Sequence, residues 1–166
     1  MKQISDYELD EALQYVIERC NSDQPFFSKY YKALYHLGIR ATEALLPSIW
    51  SFPTSNTVVL QPHKGNNLRF FVRSDIPEDY LQSILFPEFI NVIPSYSQLN
   101  YLFQIYMYYG KIWIGNKSST LHLFRHNYVK KLKAIGLSDE DIRVRIGEKE
   151  LSSAQQYIYS EYFVDI

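Results

Sequence analysis

Apolar residues recur at helical spacing in segment after segment of this chain, and one short β-branched run interrupts them. That pattern limits the fold to a mainly helical domain of the α+β class with a small antiparallel hairpin or sheet. Ser5-Asp6-Tyr7-Glu8 has the spacing of a capping box, and Leu9, Leu13, Val16, Ile17 and Cys20 follow on one helical face. After a turn-rich break from Asn21 to Pro25, Phe26 to Leu46 predicts a second helix that tolerates Gly38 and stops at Pro47. Thr57 to Gln61 and Leu68 to Arg73 predict a hairpin with Lys64 near its tip. Pro77 opens a short helix to Leu85, Ser97 caps one that stops at Gly110, and Thr120 caps one that runs to Ile135 before Gly136. Ser138-Asp139-Glu140-Asp141 opens a short helix to Gly147, and Ser152 or Ser153 caps a last helix bearing Tyr157 and Tyr159.

These segments fit one folding unit, 1–166, because the chain is long enough for one substantial core and too short for two. With 46% hydrophobic and 21% charged residues, no repeat and no low-complexity tract, the chain is not of the disordered class. Its apolar stretches end well short of the ~20 residues that span a bilayer, and the first residues lack the apolar core of a signal peptide. No membrane association is expected. The single Cys20 lies among apolar helix positions, which predicts a buried thiol in a reducing, cytoplasmic setting.

Net charge is −1, whereas nucleic-acid binders are commonly basic. The average hides an asymmetry. Lys111 to Lys133 holds six basic residues and no acidic one, while Ser5 to Asp23 holds six acidic residues against Arg19 alone. One face can therefore meet a polyanion while another stays solvated, although such runs are often plain wet surface.

Four segments carry groups suited to phosphoryl transfer. In Gly38-Ile39-Arg40-Ala41-Thr42-Glu43 a carboxylate at i+3 can fix a guanidinium, and a fixed guanidinium can grip two phosphate oxygens. Lys64, between His63 and Gly65, offers a mobile proton donor. His122 and Arg125 share a helical face at i, i+3. The end of the chain offers Tyr157 and Tyr159 among 15 tyrosines. Taken singly, each has an ordinary structural reading: a surface ion pair, a solubilising lysine, a polar helix edge, a packed aromatic. Tyr106, Tyr108 and Tyr109 are read as core aromatics before base-stacking ones.

In chain order these segments resemble the catalytic domain of tyrosine recombinases, the family of phage integrases and chromosome-dimer resolvases. The family pattern is a helical Gly-hydrophobic-Arg-x-x-Glu, a hairpin Lys, a His-x-x-Arg, a Leu-Gly-His or Leu-Gly-Trp, and a Tyr nine residues further on. Here Ile146-Gly147-Glu148 stands at the Leu-Gly-His position, and the tyrosine nine residues beyond Glu148 is Tyr157. The resemblance covers about Phe26 to Tyr162 and matches five of six catalytic positions. It implies a site-specific DNA recombinase acting without metal or cofactor on double-stranded DNA, as in DNA integration or the traffic of mobile genetic elements. Tyr157 would attack the scissile phosphate to form a 3′-phosphotyrosyl intermediate, while Arg40 and Arg125 clamp its oxygens. His122 would assist, and Lys64 would protonate the departing 5′-oxygen. Preorganised donors of this kind supply on the order of 3 kcal/mol each.

The chain departs from the family at Glu148. An ionised carboxylate about 4 Å from a phosphate costs ~4 kcal/mol at an effective dielectric of 20. Protonation, a side chain turned away, or transfer of the role to Lys149 would each accommodate it; so would loss of activity. Tyr159 is the alternative nucleophile, because helix register shifts near a terminus. The resemblance also implies that the family's N-terminal core-binding domain is absent, leaving a fragment or a compact relative that depends on a partner protein for DNA grip. A C-terminal segment passed between subunits of a homo-oligomer on DNA would here be Phe163 to Ile166. The alternative function is a degenerate recombinase-like module that binds DNA or protein without cleaving.

Overall fold

The computed structural model describes residues 2–62, 67–89, 93–110 and 120–164. Eight helices are described: α1 (Asp6–Asp23), α2 (Pro25–Leu37), α3 (Ala41–Ala44), α4 (Glu78–Leu85), α5 (Tyr96–Tyr109), α6 (His122–Ala134), α7 (Asp139–Ile146) and α8 (Leu151–Ile158). Strands β2 (Trp50–Ser51), β3 (Thr57–Leu60) and β4 (Arg69–Val72) form one antiparallel sheet in that order, with Leu60 opposite both Trp50 and Arg69. Strands β1 (Lys2–Ile4) and β5 (Tyr162–Val164) pair antiparallel, joining the two ends of the described chain. The fold is thus mainly helical with small antiparallel sheets, as the apolar periodicity predicts. Among the described residues no helix is long and apolar enough to cross a membrane.

Local signals explain most boundaries. Ser5 and Glu8 close a full capping box, with Glu8 N–H donating to Ser5 Oγ at 3.0 Å and Ser5 N–H to Glu8 Oε1 at 3.2 Å. Three helix starts differ from the sequence reading. The helix ending at Gly110 is capped by Ser95, not Ser97, because Ser95 has Gln98 at the position that returns the hydrogen bond. α6 starts from Leu121 rather than from a Thr120 cap, since a tertiary partner, the Asn100 side chain, takes the Leu121 N–H. α8 starts from Glu150, so Ser152 and Ser153 lie inside it.

The largest difference is at Gly38, which ends α2 instead of passing through it. Gly38 adopts φ 65, and a Cβ there would lie 2.2 Å from the Tyr128 ring. Only glycine fits that left-handed turn under an aromatic lid. Ile39 and Arg40 then run before the separate short α3.

Two apolar clusters meet along α6. The larger gathers α1, α2, α4, α5 and the three-stranded sheet around Leu123 and Phe124, with Phe124 stacked on Tyr31 at 5.9 Å. The smaller packs Val129 and Leu132 of α6 against Ile142, Ile146, Ala154 and Ile158. Two buried tyrosine hydroxyls find backbone acceptors: Tyr31 donates to Leu99 O at 2.6 Å and Tyr80 to Ala44 O at 2.7 Å. Because α6 belongs to both clusters, its N-terminal half is fixed against α2 while its C-terminal half carries α7 and α8. Cys20 is buried, and burial pushes its thiol up to about 12.

The acidic and basic runs face each other. Lys130 pairs with Asp6 at 3.8 Å, Lys131 with Asp10 at 2.7 Å, and Lys133 with Asp139 at 2.8 Å. The described lysines of the basic run therefore hold α6 to α1 and α7 and do not form a free basic face. Tyr106 is buried, as expected, whereas Tyr108 and Tyr109 are exposed.

Candidate functional site

Arg125 sits within α6 with its side chain 1% exposed. Its Nη1 donates to Gly38 O at 2.8 Å and its Nη2 to Ile146 O at 2.5 Å, so the ends of α2 and α7 both present carbonyls to one guanidinium. Helix C-termini carry negative partial charge and suit a cation. Burial, then the nearby Arg40 and Arg69 charges, pulls the guanidinium down to about 10, which leaves it protonated at neutral pH.

Arg40 is the N-cap residue of α3 in extended backbone, not a residue inside a long helix. Glu43 still holds it, accepting the Arg40 N–H at 2.7 Å and Nη1 at 3.4 Å. Glu43 also binds Arg69 Nη2. Burial alone would raise the Glu43 carboxyl, but the Arg69 charge and hydrogen bond, then Arg40, hold it below the ordinary range. Arg69 is a participant the sequence reading missed. It stands on the inward side of β4 with Phe71, while Phe70 and Val72 face out. A charged residue in phase with the buried side of a strand was the available signal.

Glu148 does not turn away. Its Oε1 lies 2.6 Å from Arg40 Nη2 and 3.2 Å from Arg125 Nη2, so two guanidiniums from distant segments converge on one oxygen. The charges Arg69, Glu43, Arg40, Glu148 and Arg125 then alternate in sign through contacts. Lys149 is exposed.

His122 lines a cleft of about 290 Å³ with Arg40, Arg125, Thr42 and Tyr96. Desolvation, then the Arg125 and Arg40 charges, holds its imidazole below the ordinary histidine value. Tyr157 lies on α8 with its ring centroid 5.4 Å from Arg125 Cζ and 4.5 Å from the His126 ring. Ser160 Oγ donates to Tyr157 O at 2.9 Å and contacts His126 Nδ1 at 2.9 Å, so His126 and Ser160 bracket the tyrosine. His126 and Ser160 were not singled out from sequence. Tyr159 is exposed, and its hydroxyl donates to Asp139 Oδ2 at 2.8 Å. Lys64 lies outside the described residues. Arg40, His122, Arg125, Glu148 and the Tyr157 ring thus form one neighbourhood, and Tyr159 is committed elsewhere. Among the described residues no group of three or more His, Cys, Asp or Glu side chains is arranged to hold a metal ion.

No protein-family model matches this chain, and no curated protein matches its sequence. Solved structures match its fold. XerA recombinase superposes with TM-score 0.63 at 14% identity, covering 90% of this chain and 57% of that one. XerH site-specific recombinase bound to difH substrate in a pre-cleavage complex gives 0.68 at 15% identity, covering 96% of this chain and 51% of that one. Its post-cleavage complex with palindromic difH gives 0.70 at 14% identity, covering 96% and 50%. This chain spans about half the length of those recombinases. At this identity the likeness shows a recombinase-like fold.

Proposed function

We propose that this chain, acting as one catalytic unit over 1–166, breaks and rejoins double-stranded DNA at specific sites through a tyrosine linkage. The observation that carries this reading is the convergence of Arg40 and Arg125 on one anionic oxygen, with the Tyr157 ring against Arg125. The phenolic oxygen of Tyr157 gives its proton to water and forms a bond to phosphorus, the bond from phosphorus to the 5′-oxygen breaks, and the departing oxygen takes a proton, the role proposed for Lys64. Arg40 and Arg125 take up the charge that grows on the non-bridging oxygens, and His122 donates a hydrogen bond from the cleft rim. The reverse attack by a 5′-hydroxyl rejoins the strand and conserves the phosphodiester energy. Partners are double-stranded DNA, further copies of the chain on it, and a protein that adds DNA grip; DNA integration and mobile-element traffic are the fitting biological settings.

One observation favours a second reading. Glu148 already occupies the arginine pair, which fits a recombinase-like module that binds DNA or protein and does not cleave. The test incubates the protein with nicked duplexes of randomised sequence, from which the cleaved fragment diffuses away, and maps any covalent adduct by mass spectrometry. The expected adduct is on Tyr157, lost in Tyr157→Phe and kept in Tyr159→Phe. DNA retained without any adduct establishes the non-cleaving reading instead.

A further inference from the structure

The Glu148 backbone is anchored independently of its side chain. Its carbonyl accepts from Arg143 Nη1 at 2.9 Å, its N–H donates to Arg143 O at 3.1 Å, and Gly147 before it turns with φ 74. These contacts hold the backbone in place by themselves, apart from the contacts between the carboxylate and the arginines. While the carboxylate is there, a second anion is opposed by like-charge repulsion at close range.

We infer that Glu148 is a tethered occupant of the Arg40–Arg125 pair that sets the affinity a ligand must exceed: the carboxylate keeps free small anions out and yields to a phosphodiester that is itself held along a DNA strand. This rests on the phosphate-binding role proposed above for the two arginines and not on cleavage. An intramolecular occupant competes at an effective concentration of millimolar order or above. Free phosphate must beat that concentration unaided. A phosphate within duplex DNA is positioned by its neighbours' contacts and competes on equal terms. The exchange keeps the alternation of charge, because a phosphodiester is a single anion replacing a single anion between Arg40 and Arg125. The adjoining cleft of about 290 Å³, walled by Thr42, Tyr96 and His122, gives it an approach.

Glu148→Gln keeps the shape and removes the charge. Inorganic phosphate binding is measured by calorimetry, and binding of a labelled duplex by fluorescence anisotropy at one fixed salt concentration. The wild-type chain should show no saturable phosphate binding at millimolar concentration. Glu148→Gln should gain roughly tenfold or more for phosphate and a gain of similar size for duplex. Both gains should vanish in Arg40→Ala/Glu148→Gln. Glu148→Asp, which withdraws the carboxylate by one methylene, should lie between and serves if the glutamine variant fails to fold. Equal phosphate affinity in the wild type and a folded neutral variant, including no binding by either, overturns the inference. A gain in phosphate binding with no covalent adduct on any duplex upholds it while the cleavage reading fails.

Discussion

Glu43 holds two guanidiniums at once, and that double duty makes it the most consequential residue outside the cleft. It is buried, it binds Arg69, and it fixes the backbone and side chain of Arg40. Arg69 in turn has Nε and Nη1 buried without a hydrogen-bond partner. A buried pair is worth little relative to an apolar pair of the same shape, but breaking one side leaves an uncompensated charge that costs about 3–5 kcal/mol. Glu43→Gln should therefore lower the unfolding free energy by about 3 kcal/mol in urea titrations, and adding Arg69→Met should restore a large part of it. A single-variant loss under about 1 kcal/mol, or a double variant no better than the single, would show that the pair is not a strut. The motif-bearing residues Arg40, His122, Arg125 and Tyr157 could be named from type, order and spacing. Strand phase marks Arg69 as an inward charge but does not give its partner, which depends on where Glu43 of α3 lies in the fold.

At the scale of elements, α6 does the positioning. It presents His122 and Arg125 to the cleft, and His126 beside Tyr157 and Tyr162. Burial, then the His122, Lys130 and Arg125 charges, drops the His126 imidazole to about 4, against an ordinary value of 6.5. The unfolded chain then binds the proton more readily than the folded one between these values. Stability is present in full above about 6.5 and is lost as pH falls toward about 4, by on the order of 2 kcal/mol for this residue. His122 is shifted in the same direction and adds to the slope. Thermal midpoints measured from pH 7 to pH 4 should fall, and His126→Phe, which keeps the ring contacts, should fall less steeply. A His126→Phe profile parallel to the wild type would remove His126 as the cause. Most helices and the Ser5 and Ser138 caps were legible locally, since the groups that close such a cap lie within four residues. The break at Gly38 was not, because the ring that forbids a side chain there belongs to Tyr128 on another helix.

At the scale of the whole molecule, β1 and β5 tie the ends together, with Ile4 opposite Tyr162. The segment that the family resemblance would pass to a neighbour is, over its described part, paired within its own chain. Tyr162 also stands edge-on to His126 at 5.2 Å, so this pairing supports the wall behind Tyr157. Ile4 is buried in the main core, and Ile4→Asp places an unpaired charge there. Amide exchange should then speed up by at least about tenfold in residues 2–4 and 162–164, and much less in α2 and α5, as for a local opening. Uniform acceleration across the molecule, or none, would show that the terminal pair is not an independent unit.

Most of the helical segments, the hairpin and the order of the motif residues are legible along the chain, because periodicity, capping and spacing are written within a few residues. Only the folded chain brings acids of α1 and α7 to the α6 lysines, Arg69 to Glu43, and Glu148 between Arg40 and Arg125. Each of these depends on where distant segments return to one another, and charge acts through distance in space. A carboxylate that interrupts a motif on paper therefore becomes, in the folded chain, the anion its arginines already hold.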